Sequence, residues 1–209
     1  MYRWFELADY NGPRIRQLVQ LMATKHIPTD MTLTVNEIVY NIDDLDRVLP
    51  PDDVRDMHPD VRKVYKAQLS ANAIGWTADD YRRARAVMPK VLAFARLLHD
   101  AGVPMMLGTD GGGGAFLAHE MQLHVQAGIS TWDVLRMATS DTAQIMGLGN
   151  RIGRIRKGYE ADVVILDADP VQDIGAAAKV FGVINNGVLL KSADLLAQPR
   201  LSQRVGPDH

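Results

Sequence analysis

Asp110 closes a short apolar run and opens a glycine tract in the segment GVPMMLGTDGGGG, residues 102–114. A carboxylate at the end of a buried strand can hold a divalent cation or move a proton. Gly111 to Gly114 would keep Cβ atoms out of the space around it, so that backbone and ligand can approach closely. The same spacing suits a plainer role, because aspartate is a favoured N-cap and a helix follows. His119 and His124 come next. Their separation sets them roughly 140° apart around a helix, so they are not two ligands on one face. His119 alone can lean over the space beside Asp110, where imidazole would serve as ligand or proton shuttle; an isolated helical histidine is more often a polar surface or half-buried residue. Glu120 is the weaker candidate of that helix. His26, His58, His99 and His209 have no ligand spacing and are expected to be structural or solvent-facing.

Other chemistries are missing from the chain. There is no cysteine, which removes disulfides and thiolate metal sites and leaves His, Asp and Glu as the strong metal ligands. No Gly-x-Ser-x-Gly elbow occurs, and the glycine tract lacks the Lys and Ser/Thr of a phosphate-binding loop. With 23 basic against 25 acidic residues and a net charge of -2, no block of one sign draws the chain to nucleic acid or anionic lipid. Small neutral or mixed-charge ligands are the natural partners. The N-terminus, MYRWFELADYNG, has charges breaking each apolar run, and no segment has the ~18 apolar residues of a membrane span. Neither membrane nor secretion is expected, and the location expected is cytoplasmic.

The elements that must position Asp110 are readable around it. Pro13 starts a helix that continues to His26, and TLTVNEIVY alternates at Leu33 and Val35 like a short strand leading into helix or loop. Residues 41–60, with three prolines and seven aspartates, read as a surface excursion. Thr77 and Asp80 have capping-box spacing and open a long helix whose face carries Val87, Val91, Phe94, Leu97 and Leu98, bent at Pro89 and stopped by Gly102. VPMML then reads as a strand buried on both faces in a parallel sheet. Residues 115–127 form a helix ended by Gly128, and Ser130 with Asp133 opens another that continues to Gly147. Trp132, Met137 and Met146 are expected in the core. ADVVILD and VFGVINNGVLL are β-rich, the second folding back at Asn186-Gly187 as a type I′ hairpin. Beyond residue 197 the polar tail is expected to be mobile.

AGVPMMLGTDGG, HEMQLHVQAGISTWDVLRMATSDTAQIMGL, RIGRIRKGYEADVVILDADPVQDI and VINNGVLL together resemble, in order and spacing, the C-terminal part of the metal-dependent amidohydrolase superfamily. The branch is that of imidazolonepropionase-like and prolidase-like enzymes. IPTDMTLTV weakly resembles the Pro-Thr-Leu stretch at the seventh barrel strand of that branch. The resemblance implies an α/β fold: the last two or so units of a (β/α)8 TIM barrel over residues 1–149, a small antiparallel β-sandwich portion over 150–192, and a mobile tail over 193–209. It implies hydrolysis of amide, cyclic amide or dipeptide C-N bonds by water activated at a divalent metal, above all zinc. Asp110 matches the family's aspartate at the end of the eighth strand, which touches metal and carries the proton from water to the leaving nitrogen. Gly111, Gly112 and His119 then line the substrate pocket.

The family's His-x-His pair, its bridging lysine and its histidines at the fifth and sixth strands have no counterpart in these residues. A closed barrel takes ~250 residues. Two expectations follow. In one, the chain is a C-terminal portion of a hydrolase, inactive alone, in an oligomer or complex with an N-terminal half because its strand edges are open. In the other, it is a non-catalytic α/β interaction or assembly module derived from that family, with Asp110 as a cap.

Overall fold

The computed structural model describes residues 2–48, 67, 75–110 and 114–197. The order is α1 (Tyr2–Leu7), α2 (Pro13–Thr24), β1 (Thr29–Asp30), α3 (Leu33–Tyr40), a 3-10 helix (Ile42–Arg47), α4 (Ala78–Asp100), β2 (Met105–Met106) and α5 (Gly114–Gln126). There follow α6 (Thr131–Arg136), a π-helical turn (Met137–Asp141), α7 (Thr142–Ile145), β3 (Val163–Leu166), a second 3-10 helix (Ile174–Ala178), β4 (Val180–Asn185), β5 (Val188–Lys191) and α8 (Ser192–Leu196). No helix among these residues is long and apolar enough to cross a membrane.

The long helix begins as its capping box dictates. Thr77 Oγ1 accepts from the Asp80 amide at 3.2 Å, and Asp80 Oδ2 accepts from the Thr77 amide at 3.0 Å. Two orphan donors are satisfied by one turn of sequence. Val87, Val91, Phe94 and Leu98 recur at helical spacing and are buried, Leu97 is half-buried, and the helix continues through Pro89 to Asp100. Gly102, at φ +76°, then reverses the chain into β2. Val103, Met105 and Leu107 of that segment are buried and the residues between them only half-buried, so the strand alternates instead of being covered on both faces.

Where β1 lies is a correction to the periodicity. The strand is Thr29–Asp30, parallel to β2 in the register Thr29↔Met105 and Asp30↔Met106, and Leu33 already belongs to a helix. Thr32, at φ +41°, makes the turn between them. Alternation at Leu33 and Val35 misled because α3 is packed on several sides: Leu33, Thr34, Asn36, Ile38 and Tyr40 are all buried. The surface excursion is also corrected over its first part, since Ile42 and Leu45 of the 3-10 helix are buried beside Ile38, Tyr81 and Phe116. Residues 49–60 of it, including His58, lie outside the described residues.

Ser130 caps α6 through the Asp133 amide at 3.1 Å, as its spacing predicts. The helix expected to continue to Gly147 runs without a break over 131–145, widening to π-helical over Met137–Asp141, and while Met137 is buried, Trp132 and Met146 are 60% and 63% exposed. In the C-terminal region β3, β4 and β5 form an antiparallel sheet, with Asn186 and Gly187 at φ +48° and +79° in the expected hairpin turn. Register puts Val164, Phe181, Val183, Val188 and Leu190 on one face of that sheet, and all but Val183 are exposed.

Candidate active site at the strand ends

Because β1 and β2 run parallel, the loops that leave their C-terminal ends emerge on the same side. One loop carries Gly108, Thr109 and Asp110; the other carries Asp30, Met31 and Thr32. Asp110 is exposed and has φ +50°, a left-handed conformation that aspartate tolerates better than most side chains. Gly111 and Gly112, expected to line the pocket, lie outside the described residues.

Asp30 is a residue the sequence did not single out. Its Oδ1 accepts from the Thr32 amide at 3.1 Å, closing a local turn, while its Oδ2 rests against Gly108, where a Cβ would collide with it. Gly108 therefore lets the carboxylate on one strand end sit against the backbone of the other. The signal was faint: a Thr-Asp dipeptide stands at or just beyond each strand end, Thr29-Asp30 and Thr109-Asp110, and nothing local says that they converge.

The histidines are held apart, as their spacing requires. His119 points from α5 to α3, with Nε2 2.5 Å from Glu37 Oε2 and Nδ1 3.4 Å from Gln122 Oε1. The hydrogen bond to the Glu37 carboxylate raises the pKa of His119 above the ordinary value, against the opposing effect of burial. His124 is fully buried; its Nδ1 donates to the Glu120 carbonyl at 2.9 Å, and its Nε2 has no partner among the described residues.

Glu120 is the tie that holds these loops. Fully buried, it accepts from the Leu33 amide at 2.8 Å and from both the Thr34 amide and the Thr34 hydroxyl at 2.6 Å. An anion at the first turn of α3 satisfies donors that the helix leaves open and complements its dipole. So the helix after Asp110 is fastened to the helix after Asp30.

A cation has little to bind here. Among the described residues no three His, Cys, Asp or Glu side chains group closely enough to hold a metal ion. Catalytic zinc takes three protein ligands and an open position, so these residues do not fit it by themselves. What remains is a solvent-facing carboxylate able to accept or donate a proton, a second carboxylate at the neighbouring strand end, and a buried polar seam beneath them.

Residues 18–191 match the model of the Amidohydrolase family. The chain is 30% identical to ochratoxinase of Aspergillus niger over 115 residues, which is 54% of this chain and 24% of that protein. It is 33% identical to imidazolonepropionase of Rubrobacter xylanophilus over 79 residues, 35% of this chain and 19% of that protein. Among solved structures, that of a Xaa-Pro dipeptidase with bound methionine in the active site superposes with a TM-score of 0.61 at 20% identity, covering 84% of this chain and 37% of that one. The fold is therefore shared, and the matched part spans well under half the length of each of these proteins.

Proposed function

The chain belongs to the amidohydrolase family, and from that membership we propose that it is the C-terminal portion of a metal-dependent hydrolase of C-N bonds in small molecules. The bonds are amides or cyclic amides, dipeptides included. Residues 1–149 supply the last units of a (β/α)8 barrel, 150–192 part of a β-sandwich, and 193–209 a tail. The matches to ochratoxinase and imidazolonepropionase support this assignment.

The observation that carries it is the parallel pair β1 and β2 with Asp110 in the loop beyond β2, because active sites of such barrels gather at the C-terminal ends of the strands. Asp110 takes a proton from the attacking water as its oxygen bonds to the substrate carbonyl carbon, then gives that proton to the nitrogen as the C-N bond breaks. His119, steadied by Glu37, lines the substrate side together with Gly111 and Gly112. The ligands that would complete a zinc site with Asp110 come from outside the described residues, and the chain alone is inactive.

Two surfaces support completion by further polypeptide. Among the described residues β1 and β2 pair only with each other, leaving both outer edges open, and the apolar face of Val164, Phe181, Val188 and Leu190 is uncovered. We propose an N-terminal half or an oligomer as the cover. A second reading, a non-catalytic assembly module, is favoured by the lack of a three-ligand group among the described residues.

Metal analysis and amide-hydrolysis assays on the purified chain, with and without an N-terminal barrel half supplied in trans, test the proposal. Activity in the reconstituted complex that Asp110→Asn abolishes is the expected result. Equimolar, tightly held zinc with hydrolysis by the lone monomer refutes the division of ligands, and full activity of Asp110→Asn in the complex refutes its role.

A further inference from the structure

At the N-terminal end of β2 a cavity of about 330 Å³ opens between the end of α4, α6, the π turn and α7. Its charged lining is His99, Asp133, Arg136 and Asp141, and its apolar lining includes Val103, Pro104 and Ile145. The ion pairs within it are incomplete. Arg136 Nη2 lies 3.1 Å from Asp141 Oδ2 and 3.2 Å from Asp141 Oδ1, whereas Arg136 Nη1 stands 3.7 Å from Asp133 Oδ1, beyond hydrogen-bonding range. His99 Nε2 is likewise 3.8 Å from Asp133 Oδ2, the oxygen that accepts from the Ser130 hydroxyl at 2.6 Å.

A guanidinium has five donors in a planar fork, and only Nη2 of Arg136 is engaged at hydrogen-bond distance by a described carboxylate. Arg136 Nη1 and Asp133 Oδ1 thus form a long ion pair on half-exposed side chains, and both keep hydrogen-bonding capacity toward the cavity. A carboxylate would accept from the unengaged Arg136 donors, and an ammonium would take Asp133 Oδ1. Charges of both signs this close together ask for a ligand that carries both on adjacent atoms. The apolar wall beside them asks for a compact aliphatic side chain. The five-residue π turn beside the site is a helix irregularity of the kind that frequently marks functional positions.

We propose that this cavity binds a free α-amino acid with a small apolar side chain, as the zwitterion, at a site separate from the Asp110 loop. The ligand class follows from the charges and the wall alone and does not depend on the hydrolase assignment.

Calorimetric titration of the 209-residue chain with L-valine, N-acetyl-L-valine and L-valinamide separates the two charge contacts. L-valine is expected to bind saturably, and each analogue, lacking one of the two charges, to bind at least about tenfold more weakly. Arg136→Met, which keeps the aliphatic stem, is expected to weaken L-valine by a similar factor, with circular dichroism checking that the helices persist. No saturable binding of L-valine up to about 20 mM, or an analogue that binds as tightly as L-valine, overturns the proposal. The analogue comparison uses the unaltered protein, so it decides even if the variant unfolds.

Discussion

The Glu120 carboxylate and Thr34 are bonded twice, hydroxyl and amide of one threonine both donating at 2.6 Å to the same oxygen, across 86 residues of sequence. With the Leu33 amide on the other oxygen, a single buried side chain caps α3 and locks it to α5. The helices that follow Asp30 and Asp110 along the chain are thereby tied to each other.

Removing that side chain should be among the costliest changes available. Glu120→Ala leaves three buried donors without an acceptor and is expected to lower stability by about 3–5 kcal/mol, while Glu120→Gln, which keeps one acceptor oxygen, loses about 1–2 kcal/mol. Urea unfolding at neutral pH reads both. Equal losses for the two variants would show that volume, not hydrogen bonding, is what the site needs.

The His119 and Glu37 pair should make stability depend on pH in a defined direction. The pKa of His119 is raised above 6.5 in the folded chain, so its contribution is fully present below about pH 6.5 and is lost as pH rises through the higher folded value. The stability difference between the native protein and Glu37→Gln is expected to be largest near the acid end of a pH 6 to 9 series, roughly 1 kcal/mol, and to shrink toward the alkaline end. A difference that grows with pH contradicts the pairing.

Gly108→Ala should report on Asp30 specifically. The clash is with the far end of a side chain that can swing aside, so the cost is expected to stay near or below about 1 kcal/mol. In an Asp30→Ala background the cost should vanish, and a double-mutant cycle by chemical denaturation measures that coupling. Additive effects would mean that the two residues do not meet.

Gly153 should tolerate nothing larger. It has φ +86°, and an added Cβ would stand 2.8 Å from Ala143 Cβ, 2.9 Å from Thr139 O and 3.0 Å from Ser140 Cα, two of them backbone atoms of the π turn. Gly153→Ala is expected to cost about 2–4 kcal/mol and to lower the thermal midpoint accordingly. A neutral substitution would show that the loop shifts freely over the turn.

Short-range chemistry was legible throughout. Thr77 with Asp80, Ser130 with Asp133, Gly102 after α4 and Asn186-Gly187 in the hairpin each act within four residues, so residue type and spacing contain the whole interaction. Asp110 was singled out as a candidate the same way, by a strand, a turn and a glycine tract in succession. The partner of His119 and the role of Glu120 were not legible, because Glu37 and Thr34 lie 82 and 86 residues away and only packing of α3 on α5 brings them close. Trp132 and Met146 were misjudged for a related reason: an apolar side chain states a preference for burial, and which side of an element is covered depends on neighbours that arrive from elsewhere in the chain.

By itself, then, the amino-acid sequence determined the caps, stops and turns and the family to which the chain belongs, and it singled out the carboxylate proposed here for the chemistry. Tertiary structure decided the company that carboxylate keeps: Asp30 beside Gly108, the seam beneath them, and no group of three His, Asp or Glu side chains among the described residues. The physical reason is distance along the chain. Local backbone satisfaction is written in adjacent residues, whereas the meeting of two strand ends depends on a parallel register that no short segment encodes.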